Sequence, residues 1–192
     1  IWYMPMKGII LKEFYPKLGI RQMADNDILY DGEYQMQVAS FMQNRGYLAE
    51  DYGKGNHDVF QKPPIYNFEL HRALFSESVN IDLFEYYADV KQRLKKDSGN
   101  QYGFYFTDED FYIYMIAHEY KHYRASGTGL RSLMDDFVYL RAKDESMDWD
   151  YIETELQKLG IAQFEQKSRT LSRKIFLNPD GSTLTAAERE ML

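Results

Sequence analysis

Asp25-Asn26-Asp27 sets two carboxylates one residue apart, just ahead of the apolar run Ile28-Leu29-Tyr30. Side chains alternate between the faces of a β-strand, so on a strand Asp25 and Asp27 point one way while Ile28 and Tyr30 face the core. Adjacent carboxylates repel until a divalent cation sits between them, and all-oxygen ligation suits Mg²⁺ or Mn²⁺. The same three residues also suit an acidic turn, because Asp and Asn are frequent turn formers. A third acid, Glu69, stands in the strand-like segment Ile65-Tyr66-Asn67-Phe68-Glu69-Leu70-His71. There Asn67, Glu69 and His71 share one face, and Phe68 and Leu70 the other.

A second constellation is His118-Glu119-Tyr120-Lys121-His122, which matches the H-E-x-x-H signature of zinc peptidases. On a helix the two histidines fall on one face, as zinc binding needs. The extended form of that signature, with a glycine and a third histidine, does not continue here, since Tyr123-Arg124-Ala125-Ser126 follow. A distant acid, Asp135, Asp136 or Glu145, would have to complete the ligand set. Otherwise the two histidines line a helix interface or a substrate cleft.

Several elements must position these groups. Ile1 to Met6 reads as a strand, Lys7-Gly8 as a turn, and Ile9 to Tyr15 as a helix. The D-x-D strand is expected to span Arg21 to Tyr30, with Arg21 and Met23 on the face of Asp25 and Asp27. Asp31 to Tyr47 reads as a helix whose apolar stripe is Tyr34, Val38, Phe41 and Met42, ended by Gly46. Tyr52 to His57 suggests a hairpin turn in which Lys54 and His57 are solvated. Pro63-Pro64 breaks the chain before the Glu69 strand. Ile81 to Leu94 follows as one amphipathic helix, and the charged run Lys91 to Asp97 marks the boundary to a second, mainly helical region.

That second region opens at Thr107, whose hydroxyl can cap a helix with acids in its first turn. Further helices are expected over Leu130 to Ala142, from Asp148 to a stop at Gly160, and over Ile161 to Phe176. Asn178 to Ser182 reads as a turn, and Thr185-Ala186-Ala187-Glu188 as a capping box. The fold class is therefore α+β, a small mixed sheet with packed helices followed by a helical region. The expected division is 1–98 and 99–192.

The ordered set Lys7-Gly8, Arg21, Met23, Asp25-x-Asp27-x-Leu29, Glu69-Leu70-His71, with His118 and His122 beyond, resembles the bacterial family of uncharacterised nucleotidyltransferases in the DNA polymerase β-like superfamily. The resemblance runs from Met6 to about Gly160. It implies an enzyme that moves a nucleoside monophosphate from a nucleoside triphosphate to an acceptor hydroxyl and releases pyrophosphate. It also implies that Asp25, Asp27 and Glu69 are the catalytic carboxylates and hold Mg²⁺ or Mn²⁺. Gly8 would let the backbone approach the triphosphate, with Lys7 and Arg21 as cationic contacts, although Arg21 could equally pair with the acids. His71 is expected to hold Glu69 in place, without being a ligand itself. Asn26 stands where the family tends to carry an apolar residue, which weakens the inner packing of that strand. The family carries more chain before this point, so the catalytic region is expected to be incomplete at its N-terminus.

The 192 residues, 44% hydrophobic and 16% aromatic, suffice for one core or for a domain with a helical appendage. A net charge of −7 argues against a broad nucleic-acid surface, which needs many cations to neutralise phosphates. A small-molecule or protein acceptor is therefore expected beside the nucleoside triphosphate. With no cysteine there is neither a disulfide nor a thiolate metal site, and no apolar run is long enough to span a bilayer. A cytoplasmic location is expected. The competing readings are the zinc peptidase and a non-catalytic module of the same fold acting as a binding or antitoxin-like partner.

Overall fold

Alternating apolar residues commit the first half of the chain to a sheet. The computed structural model describes residues 1–17, 19–78, 80–127, 129–177 and 183–192. In it, β1 (Tyr3–Pro5), β2 (Asn26–Tyr30), β3 (Leu48–Asp51), β4 (His57–Lys62) and β5 (Tyr66–His71) form one sheet in the order β1-β2-β5-β4-β3. The sheet is mixed: β2 and β5 are parallel, and the other pairings are antiparallel. Helix α1 (Lys7–Leu11) follows β1 directly, and α2 (Gln35–Asn44) lies between β2 and β3.

One face of this sheet packs on α2. Tyr30, Phe60 and Leu70 are buried with Ala39 and Met42 of α2, and Ile28, Val38, Tyr47 and Phe68 pack around them. Each large side chain buried there stabilises the unit by about 1.5 to 3 kcal/mol. The expected stripe on α2 is shifted. Ala39 and Met42 face inward, whereas Phe41 is exposed beneath the Arg45 guanidinium, 3.5 Å from its ring centroid. The helix also begins later than expected, because a 3-10 turn at Gly32–Tyr34 precedes it.

Asp58, 1% exposed, fastens the edge of this layer. Its carboxylate accepts both contacts from Gln35 Nε2, at 3.1 and 2.9 Å, and the Gly53 amide at 2.7 Å. Gly53 and Gly55 both have positive φ, which closes the β3–β4 hairpin as expected.

The strand expected over Arg21 to Tyr30 begins only at Asn26. A strand needs a partner on which to pair. β1 ends at Pro5, opposite Ile28, and the chain turns into α1 at Lys7. Residues before Asn26 run past α1 instead, where a Cβ on Gly8 would meet Arg21 Nη1 at 3.0 Å and Met23 Cε at 3.3 Å. Arg21 and Met23 are thus not side by side with Asp27 on a strand face.

The single helix expected over Ile81 to Leu94 is also broken. α3 spans Ile81–Tyr86, and a 3-10 turn covers Val90–Arg93. Tyr87 turns in to stack on Phe75, with centroids 5.3 Å apart, while Arg93 caps the Tyr86 ring at 4.0 Å. A short hairpin of β6 (Lys95–Lys96) and β7 (Phe104–Tyr105) follows. Asn100 ties it to β1 by donating to the Tyr3 hydroxyl at 2.6 Å, so the first unit runs Ile1–Phe106.

The second unit, Thr107–Leu192, is helical. α4 (Asp108–Ser126) is capped by Thr107, whose hydroxyl accepts from the Asp110 amide at 3.2 Å. α5 (Gly129–Lys143) packs on α7 (Ala162–Leu177), and α4 packs on α6 (Trp149–Lys158). Asp148 caps α6 and Gly160, at φ 68°, ends it, while Thr185 and Glu188 form the capping box of α8 (Ala186–Glu190). These starts and stops are the ones expected from the sequence. The turn expected at Asn178 to Ser182 lies outside the described residues. Among the described residues no helix is long and apolar enough to cross a membrane.

Candidate active site

The sheet face opposite α2 gathers the polar residues of the central strands. Parallel register sets Asp27 of β2 beside Glu69 of β5, so both carboxylates leave the sheet on the same side. Two residues along β5, His71 projects from that face as well. Its Nε2 lies 2.9 Å from Asp27 Oδ1 and 3.8 Å from Glu69 Oε2. A carboxylate can only accept, so Nε2 carries the proton and donates to Asp27. Side-chain exposures of 26% for Asp27, 27% for Glu69 and 12% for His71 leave the carboxylates within reach of solvent while their neighbours hold them.

β4 adds His57, expected in a solvated turn. His57 pairs with His71 in the β4–β5 register, their rings stack at 4.9 Å, and His57 Nε2 lies 3.8 Å from Glu69 Oε2. The signal was present in the hairpin. Once Lys62 is paired with Tyr66, each step back along β4 matches one step forward along β5, and His57 lands opposite His71. Lys54 does stay in the solvated turn, 3.2 Å from Asp51.

Asn26, expected to weaken the inner packing of the strand, also ties it to its neighbour. Its side-chain amide donates to the Asn67 carbonyl at 3.0 Å and ties β2 to β5 at the first residue of β2. Asp25 lies one residue before β2. Among the described residues, the group whose ligand atoms all fall within 4.8 Å of one another consists of Asp27, Glu69 and His71. Two carboxylates and an imidazole fit a divalent cation by their chemistry.

Gly8 and Arg21 meet beside β2. Gly8 is buried within the first turn of α1, and its missing side chain leaves the space that the Arg21 guanidinium fills. Lys7 opens the same helix and is half-buried.

The H-E-x-x-H residues sit on α4 in the second unit. His118 is half-buried, His122 is exposed, and their ring centroids are 4.6 Å apart. Glu119, 1% exposed, turns inward and accepts the Ser168 hydroxyl at 2.7 Å. The same hydroxyl lies 3.3 Å from Asp136, so this glutamate belongs to the buried polar packing of α4, α5 and α7. A peptidase glutamate has to reach a water on the metal.

A family profile described as "Uncharacterised nucleotidyltransferase" matches residues 1–177. Comparison with curated proteins and with solved structures returned no match.

Proposed function

Because the chain belongs to the family of uncharacterised nucleotidyltransferases, we propose that it transfers a nucleoside monophosphate from a nucleoside triphosphate to an acceptor hydroxyl. The acceptor oxygen attacks the α-phosphorus, the bond to the β,γ-diphosphate breaks, and pyrophosphate leaves while the hydroxyl proton passes to solvent. The observation that carries this reading is the register pairing of Asp27 with Glu69 on one half-exposed sheet face.

In this reading Asp27 and Glu69 bind the divalent cation through oxygen, and Asp25, at the entrance of β2, completes the carboxylate set. Bound there, Mg²⁺ or Mn²⁺ supplies charge neutralisation for the triphosphate and lowers the pKa of the acceptor hydroxyl. His71 holds Asp27 in one rotamer. Arg21, seated against Gly8, and Lys7 at the start of α1 bind the phosphates. Most of the rate then comes from holding the two reactants in line and from charge placed in advance. A small-molecule or protein acceptor fits best, since a net charge of −7 does not suit a broad nucleic-acid surface.

A thermal-shift panel of the four nucleoside triphosphates, with and without Mg²⁺ or Mn²⁺, tests the proposal. Expected is a rise in melting temperature that needs both triphosphate and cation, because only binding to the folded state stabilises it. A chain that no triphosphate stabilises in any of these cations would overturn the reading.

A further inference from the structure

We propose that His71 is itself a metal ligand through Nε2, and that the resulting mixed nitrogen and oxygen site selects Mn²⁺ over Mg²⁺. The inference rests on the nucleotidyltransferase reading above and deepens it. Its starting point is the position of one atom. His71 Nε2 lies 2.9 Å from Asp27 Oδ1 and 3.8 Å from Glu69 Oε2, and the three ligand atoms fall within 4.8 Å of one another. Around an ion with metal–ligand distances of about 2.1 Å, neighbouring octahedral ligands lie roughly 3 Å apart. Nε2 therefore already stands at about the spacing of a third ligand, with both carboxylates on the same side.

The backbone enforces that arrangement. Glu69 and His71 are two residues apart on β5 and must share a face, and Asp27 is fixed beside Glu69 by the parallel register. His57 stacks on the His71 ring from β4 and limits how far that ring can swing.

Nitrogen ligation bears directly on which ion is chosen. Carboxylates suit Mg²⁺ and Mn²⁺ alike, but imidazole belongs to the first-row transition ions, and Mg²⁺ gives up its water reluctantly. Ligation by Nε2 gives up its 2.9 Å hydrogen bond to Asp27, and a Mg²⁺–nitrogen contact does not offset that loss. Mn²⁺ accepts both donor types, so it draws Nε2 away from Asp27 where Mg²⁺ leaves the hydrogen bond in place.

The test uses the full chain stripped of metal, with Mn²⁺ as the probe, alone and with a non-hydrolysable nucleoside triphosphate analogue. Pulsed electron paramagnetic resonance should detect a directly bound nitrogen on Mn²⁺, and the coupling should change isotope pattern in protein carrying ¹⁵N-histidine. Displacing Mn²⁺ should need at least about tenfold more Mg²⁺ than Mn²⁺. In His71→Gln the nitrogen coupling should vanish and the preference should fall to about threefold or less, with residual binding through Asp27 and Glu69. The wild-type spectrum does not depend on whether the variant folds. Bound Mn²⁺ without nitrogen coupling, lost in Asp27→Asn, would overturn the His71 assignment and leave the carboxylate site standing. Mn²⁺ that does not bind at all, or binds equally well in Asp27→Asn, would remove the site and the inference together.

Discussion

His71 Nε2 lies 2.9 Å from Asp27 Oδ1, although the two residues are 44 positions apart in the chain. The contact exists because β2 and β5 run parallel with Leu29 beside His71 and Asp27 beside Glu69. Parallel neighbours need a long connection, and here α2 and the β3–β4 hairpin supply it. The chain from β2 to β5 is thereby required to set one imidazole against one carboxylate.

Asp27→Asn is the most direct probe of that arrangement. The swap keeps shape, relieves repulsion from Glu69 and weakens the bond from His71, so stability should change by about 1 kcal/mol or less. Transfer activity should fall by about a hundredfold or more, as when a group stabilising transition-state charge is removed. Asp25→Asn should lower activity too if the residue before β2 belongs to the carboxylate set. Steady-state kinetics alongside thermal unfolding separates the two effects, and full activity in both variants would sink the assignment.

Gly8→Ala tests the phosphate contacts without touching a carboxylate. Alanine favours a helix over glycine by about 1 kcal/mol. Its Cβ would stand 3.0 Å from Arg21 Nη1 and 3.3 Å from Met23 Cε, both at the ends of flexible side chains that can move. The variant should therefore keep its melting temperature within a few degrees of wild type, about 1 kcal/mol either way. It should raise the KM for the triphosphate several-fold by moving the guanidinium, with less effect on kcat. An unchanged KM would show that Arg21 does not contact the nucleotide.

Ser168→Ala addresses the α4 histidine motif from the inside. Ser168 donates to Glu119 at 2.7 Å and lies 3.3 Å from Asp136, and all three residues are buried. Removing that hydroxyl should destabilise the helical unit by about 1 to 3 kcal/mol. Denaturant unfolding measures this. Glu119→Gln, which keeps the shape, should leave transfer activity largely intact, and metal analysis of the purified chain should find no stoichiometric zinc. One tightly held zinc per chain, lost on mutating His118 or His122, would revive the peptidase reading.

What the sequence made legible follows physical range. Residues that act within one turn or one strand were readable, such as the Thr107, Asp148 and Thr185 caps, the Gly160 stop and the shared face of Glu69 and His71. Asp25 was placed on a strand because alternation alone says nothing of where a pairing partner ends, and β1 leaves the sheet at Pro5. His57 was missed for the converse reason, since its position depends on the register with β5. Glu119 reads as a catalytic base until Ser168, 49 residues away, shows which way it faces.

Alkaline pH should act through buried phenols, and the sign can be worked out. Burial foremost, then the Asp58 charge, pushes Tyr30 up from 10.0 to about 12. In the helical unit burial does the same more strongly to Tyr112, whose hydroxyl donates to Glu165 at 2.6 Å, and to Tyr139, which donates to the Asp108 carbonyl at 2.9 Å. A folded pKa above the unfolded one means that the folded chain keeps protons which the unfolded chain has already released. Stability is then fully present below about pH 10 and is lost as pH rises through the folded values. Melting temperature should fall steeply above about pH 10, and less steeply in Tyr112→Phe, which has one phenol fewer to ionise on unfolding. Phenolate absorbance provides a second readout. Tyr112 and Tyr139 should ionise only as the helical unit opens. Reversible ionisation of Tyr112 and Tyr139 with the fold intact by circular dichroism would contradict their buried hydrogen bonds.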